Sequence, residues 1–122
     1  MDKKIGLTKD AGWQFGIRRT VPVNTEEVWN CLFSKKYASI WLKDADLMFS
    51  TNKPYSHIRT KWNLNNWPNS ANLQMRVIPR KTKTTIAFHI DKLNNEQQRN
   101  ESKLYWTSVL TKLVTLLKED KP

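Results

Sequence analysis

Side chains able to do covalent or metal chemistry are few and scattered along this chain. There are two histidines and one cysteine among 122 residues. A general acid or base needs a neighbour that tunes its pKa and a place beside substrate. His57 falls in an alternating run on the side of Arg59 and Lys61, and His89 alternates away from Phe88 and Ile90. Both are therefore expected on an outer, solvated face. Asp44 and Asp46 lie close together before a strand start, where carboxylates are usually solvated rather than paired as acid and base. Cys31 sits in a helical stretch with Trp29, Leu32 and Phe33 and reads as a buried, inert thiol. As a single cysteine it excludes an internal disulfide and fits a reducing cytoplasm. The three glycines all precede Arg18, so no glycine-rich phosphate loop is present, and neither HExxH nor CxxC occurs. Neither catalysis, a metal nor a cofactor is expected.

Binding chemistry is the better lead. Several alternating segments each offer one apolar face with an occasional polar group. Ile17 shares its face with Arg19, and Ile58 and Trp62 share theirs with Thr60. Met75 and Phe88 continue the apolar wall, and Trp106 and Leu110 stand on a helical stripe that faces it. Mostly apolar walls with a few polar groups describe many small-molecule sites. These nine residues are the candidate ligand-binding set, for a small hydrophobic or amphiphilic ligand whose acid group Arg19 would orient. Two plainer readings stand beside it. The stripe is simply core, and Arg19 reaches solvent at the open end of the sheet while its stem lies on apolar surface.

Positioning such a set requires one long helix against a sheet. Glu96–Lys118 is predicted as that helix. Asn95 can cap it, Gln98 occupies the capping-box position, and Trp106, Val109, Leu110, Leu113 and Leu117 step by three or four. Trp13–Val21 alternates as a strand that Pro22 ends or edges. Asn24 then caps a helix carrying Val28, Trp29, Leu32 and Phe33, with Glu27 at the capping-box position, and Ser34 starts a second short helix through Tyr37, Ile40 and Trp41. Further strands are predicted at 46–50, 56–63, 72–78 and 84–90. They are separated by turns at 52–54 and 65–70 and by a basic hairpin at 79–83. Short connections favour an antiparallel meander. Met1–Gly12 is polar and unpatterned and is expected to be a flexible tail, leaving one domain over 13–120.

The net charge of +10 raises the question of nucleic acid. It is spread evenly, with eleven basic against six acidic residues in 1–61 and ten against five in 62–122. No long basic arm exists, so no specific nucleic-acid partner is expected, and polyanion binding should be weak and sensitive to salt. No run approaches the length of a membrane span, and the first ten residues lack the apolar core of a signal peptide.

The ordered layout carries a resemblance. "FGIRRTVPVNTEEVWNCLF" resembles the first strand and helix of the START-like (SRPBCC) superfamily. "ASIWL" resembles the tryptophan motif closing its second helix. "TKTTIAFHIDKLNNEQQRNESKLYWTSVLTKL" resembles the last strand and terminal helix of the heat-shock-protein-90 (Hsp90) ATPase activator homologues. The resemblance covers about 13–119. It implies an α+β helix-grip fold, in which a curved antiparallel sheet wraps the long C-terminal helix and leaves a cavity between them. It also implies a non-enzymatic binding role, either for an apolar ligand in that cavity or for a chaperone-like protein partner. Relatives often carry extra strands after the second helix. The segment 41–56 is short here, so the implied cavity is small or open at one edge. Many relatives also have a histidine where this chain has Ile90, and no role passes to His89.

Overall fold

The computed structural model describes residues 7–8 and 12–119. In chain order the elements are β1 (Leu7–Thr8), β2 (Gly12–Val21), α1 (Thr25–Leu32), α2 (Lys35–Trp41), β3 (Thr51–Lys53), β4 (His57–Trp62), β5 (Ala71–Arg80), β6 (Lys83–Leu93) and α3 (Glu96–Glu119). The six strands form one antiparallel sheet in the order β1-β2-β6-β5-β4-β3. The chain has the helix-grip fold. Within the expected flexible N-terminal tail 1–12, Leu7 and Thr8 instead pair with Trp13 and Gly12, and Gly12 opens β2; residues 1–6 and 9–11 lie outside the described residues.

Local chemistry accounts for the helix starts. Asn24 Oδ1 accepts the Glu27 amide at 2.9 Å, the N-cap bond that opens α1. Asn95 Oδ1 accepts the Gln98 amide at 2.8 Å, and Gln98 Oε1 reaches back to the Asn94 amide at 2.9 Å. The reciprocal cap of α3 therefore forms with its return bond one residue earlier than a capping box places it.

Packing follows the period-two and helical patterns. Along β4 the inward residues Ile58, Thr60 and Trp62 are buried, while Arg59 and Lys61 are exposed. Leu73, Met75, Val77, Ile86, Phe88 and Ile90 bury the same face of β5 and β6. The α3 stripe of Trp106, Val109, Leu110, Leu113 and Leu117 is buried as expected, and the polar Gln98 and Ser102 are buried with it. Transfer of each large side chain from water favours this face-to-stripe packing by roughly 1.5–3 kcal/mol.

Two stretches differ from expectation. Residues 46–50 are not a strand. Asp46 Oδ1 accepts the Met48 amide at 2.9 Å, a local turn that competes with a ladder. The Asp46 amide donates to Lys61 O and the Ser50 amide to Arg59 O, so the segment follows β4 without regular pairing, and Leu47 and Met48 are left exposed. The strand comes later, at Thr51–Lys53, where a turn was expected. The turn itself moves to Pro54–Ser56, with Tyr55 at φ 63°. The basic hairpin is also tighter than expected. Pro79 and Arg80 remain in β5, and only Lys81 and Thr82 lie between β5 and β6, with Lys81 at φ 58°.

Candidate binding site

The expected site lies where β4, β5 and β6 meet α3, and there the side chains fill the space themselves. Trp106 stacks against Phe88 with ring centroids 4.7 Å apart, and Trp62 meets Trp106 edge-on at 5.2 Å. Trp67 closes on Trp62 at 5.1 Å, and Trp41 lies 5.7 Å from Phe88. Ile58, Trp62, Met75, Trp106 and Leu110 have no accessible surface, and Phe88 retains 1%. A void wide enough for one water would leave accessible surface on the side chains around it, so these residues enclose no such void. The structure brings this part of the candidate set together as packed core.

The two polar candidates are committed elsewhere. Thr60 does face inward, but its hydroxyl proton is committed to the Asp46 carbonyl, which leaves the oxygen only as an acceptor. Arg19 lies opposite Ile86 and so keeps its inward register, yet it is exposed and donates to the Arg18 carbonyl at 2.9 Å. Strand parity fixes the side of the sheet. It does not fix whether that row lies under the helix, and at Arg19 the side chain reaches solvent. Ile17 is half-buried. Besides Trp62 Nε1, two polar atoms that sequence reasoning did not single out are sealed in the same interior with no hydrogen-bond partner, Ser102 Oγ and Trp106 Nε1. They stand one helical turn apart on one side of α3.

Two of the four tryptophans outside the candidate set tie separate elements to the core. Trp41 donates from Nε1 to the Leu32 carbonyl at 2.7 Å, which ties the end of α2 to the end of α1. Trp67, in a segment read as turn, is buried and donates to Glu101 Oε1 at 3.1 Å. Its surroundings of Pro, Asn and Ser conceal a core residue in the sequence.

The open concavities lie outside this core. A groove of about 620 Å³ runs between α2 and α3, with Ile40, Leu104, Tyr105 and Val109 as its apolar lining and Lys43 and Lys112 at its rim. Ile40 is half-exposed and opens onto this groove, and Leu104 is 75% exposed. Tyr105 donates to Asp44 Oδ2 at 3.2 Å. Burial, and then the Asp44 carboxylate, push its hydroxyl up to about 12. Asp46 caps Met48 instead, so Asp44 and Asp46 form no acid/base pair.

Both histidines have the outward parity expected of them. His89 Nε2 meets Gln14 Oε1 at 2.9 Å, and His57 Nδ1 meets Ser56 Oγ at 2.8 Å. Partial burial, then Arg76, Lys53 and Arg59, hold the His57 imidazole below its ordinary pKa. Cys31 is half-buried rather than sealed. Among the described residues no cluster of His, Cys, Asp and Glu could hold a metal ion, and no helix is long and apolar enough to cross a membrane.

No family model matches the chain, and no curated protein matches it. Solved structures do. A Mesorhizobium loti protein superposes with a TM-score of 0.76 at 16% identity, over 89% of this chain and 99% of its own. The Aha1 dimer protein of Colwellia psychrerythraea gives 0.71 at 11% identity, over 89% and 98%. An Hsp90 activator from Plasmodium falciparum gives 0.70 at 16% identity, over 86% and 96%. At such identities likeness establishes architecture alone, and the architecture shared is the helix grip.

Proposed function

We propose that this chain is a non-catalytic binding domain that engages a protein partner through its outer surface. One observation carries the reading. The interior that would receive a small ligand is occupied by Trp62, Phe88 and Trp106, while a groove of mixed character, with Ile40, Leu104 and Val109 beside Ser39, Ser108, Lys43 and Lys112, stands open between α2 and α3. The likeness to an Hsp90 activator supports a chaperone of the Hsp90 type as the first partner to try, in the cytoplasm, where Cys31 stays reduced. The test is calorimetry of the purified domain against such a chaperone, alongside the chaperone's ATPase rate. Saturable binding that Leu104→Asp abolishes supports the reading. Absence of binding to the wild-type domain, together with a small molecule retained in native mass spectrometry, overturns it.

A second reading keeps the interior, and the unpartnered Ser102 Oγ and Trp106 Nε1 favour it. Buried polar atoms without partners are costly, and a ligand that wedges between sheet and helix would satisfy them. Its lining is Ile17, Ile58, Thr60, Trp62, Met75, Phe88, Trp106 and Leu110, with Arg19 at the mouth. The ligand class is a fatty acid or a flat aromatic acid, bound at micromolar affinity, about −8 kcal/mol. Tryptophan emission titrated with each acid separates the two readings. A saturable shift that Ser102→Ala weakens supports the interior site, and unchanged emission removes it.

A further inference from the structure

The antiparallel register gathers on the outer side of the sheet cations that look scattered along the chain. Lys53, His57, Arg76, Ala87 and Arg18 lie opposite one another across β3, β4, β5, β6 and β2. The next row is Thr51, Arg59, Gln74, His89 and Gly16, and Lys61 stands in the row beyond with Asn72 and Asp91. Lys53, Arg59, Lys61 and Arg18 are exposed and Arg76 is half-exposed. Asp91 is the one carboxylate in these rows. Neighbouring strands are about 4.8 Å apart, and alternate residues on one strand about 6.7 Å. The result is a two-dimensional field of positive charge, lowest in relief where Gly16 and Ala87 leave a hollow beside Arg18 and His89.

We infer that this outer sheet face is a docking surface for an extended acidic segment of a partner protein. An extended chain repeats its side chains on one side with the same spacing of about 6.7 Å that separates His57, Arg59 and Lys61, so acidic residues at alternate positions meet successive cations of β4. Arg18, Lys53 and Arg76 flank that line and enlarge the field to either side. Single-stranded nucleic acid is disfavoured because the rows contain no Trp, Tyr or Phe on which successive bases stack. Complementary charge of this kind steers encounter and fixes register more than it adds affinity. The inference rests on the reading that the domain works by surface contact, and it names a surface distinct from the α2–α3 groove.

The experiment is an amide NMR titration of the whole chain with a synthetic peptide of about twelve residues alternating Glu with Thr, at about 0.15 M salt, where the Debye length is about 8 Å. Expected are shifts confined to the rows of Arg18, Arg59 and Arg76, unmoved amides at Leu104 and Trp106, and a rise in the His57 pKa. That rise follows because peptide carboxylates offset the three cations facing the imidazole, Arg76, Lys53 and Arg59. Arg59→Glu with Arg76→Glu should weaken the peptide by about tenfold or more, with an unchanged urea midpoint confirming the fold. Three results overturn the inference: no shift on these rows, tighter binding of duplex DNA on the same rows at that salt, or undiminished chaperone binding by the double variant while Leu104→Asp binds none. The last leaves the surface-contact reading standing. Failure of the wild-type domain to bind the chaperone while the peptide still docks removes the chaperone and keeps the acidic-segment surface.

Discussion

The two faces of β4 make the sharpest contrast in the molecule. Ile58, Thr60 and Trp62 have at most 3% of their surface accessible, and they meet rings and aliphatic side chains from β5, β6 and α3. His57, Arg59 and Lys61, one residue out of step, lie on the outer face, where Arg59 and Lys61 are exposed and His57 stands opposite Lys53 and Arg76. The same six residues give a sealed face on one side and a basic, solvated face on the other. In a helix grip whose interior is full, the groups free to meet a partner are those on surfaces that the core only supports.

The largest blow to this contrast is a truncation inside. Trp106→Ala removes the ring that touches both Phe88 and Trp62, and it should cost about 3–5 kcal/mol, as buried aromatic truncations do. Leu110→Ala should cost about 2–5 kcal/mol on the same scale. Urea melts measure both. A loss below about 0.5 kcal/mol, the level of an ordinary surface substitution, would mean that the interior is loosely packed and able to admit a ligand. Asn95→Ala comes next. It removes the acceptor of the Gln98 amide and should lower stability by about 1 kcal/mol, the usual cost of a lost N-cap. A negligible change would detach the start of α3 from the stability of the core it closes.

How much of this was legible in the chain depends on how local the determinant is. The inward parity of Ile58, Thr60 and Trp62 and the stripe from Trp106 to Leu117 follow from period alone, and both stand in the structure. So does the cap at Asn95. The outward parity of His57, Arg59, Lys61 and Arg76 was legible too, but their alignment with Arg18 and Lys53 into rows was not, because it depends on register between strands far apart in sequence. Arg18 and Arg76 share a row only through Ala87. Arg19 shows the reverse limit, since its side of the sheet was readable but its distance from the cover of α3 was not. At residues 46–50 a side-chain turn at Asp46 outcompeted an apolar stretch that pattern alone reads as strand. Trp67 was hidden because its burial depends on Trp62 and Glu101, neither adjacent in sequence.

A smaller effect is expected outside. Arg59→Ala removes an exposed cation from a field of like charge. It should change stability by less than about 0.5 kcal/mol, within the range of surface substitutions, while moving the His57 pKa up toward its ordinary value, because Arg59 is one of the charges that lower it. NMR titration of the imidazole reads the shift. A fall in the His57 pKa, or a loss of stability comparable with that of Leu110→Ala, would erase the distinction between the two faces.

The smallest effect at neutral pH is at Tyr105, on the border between the regions. Its ring lies 5.2 Å from Trp62 inside, and its hydroxyl donates to Asp44 at the groove. Its pKa is raised from 10.0 to about 12 by burial first and by Asp44 second. Below pH 10 the phenol is neutral in both folded and unfolded chains, so this group adds no pH dependence there. Between about 10 and 12 the unfolded chain releases its proton while the folded chain keeps it, and stability falls as pH rises. Tyr105→Phe should therefore flatten the alkaline limb of the stability curve over that window and leave the slope near pH 7 unchanged. Asp44→Asn should flatten it less, because the carboxylate is the second cause and burial remains. Urea midpoints from about pH 9 to 12 measure both slopes. An equal flattening by the two variants would make the Asp44 charge, rather than burial against Trp62, the dominant influence on Tyr105, and would assign the residue to the groove instead of the core.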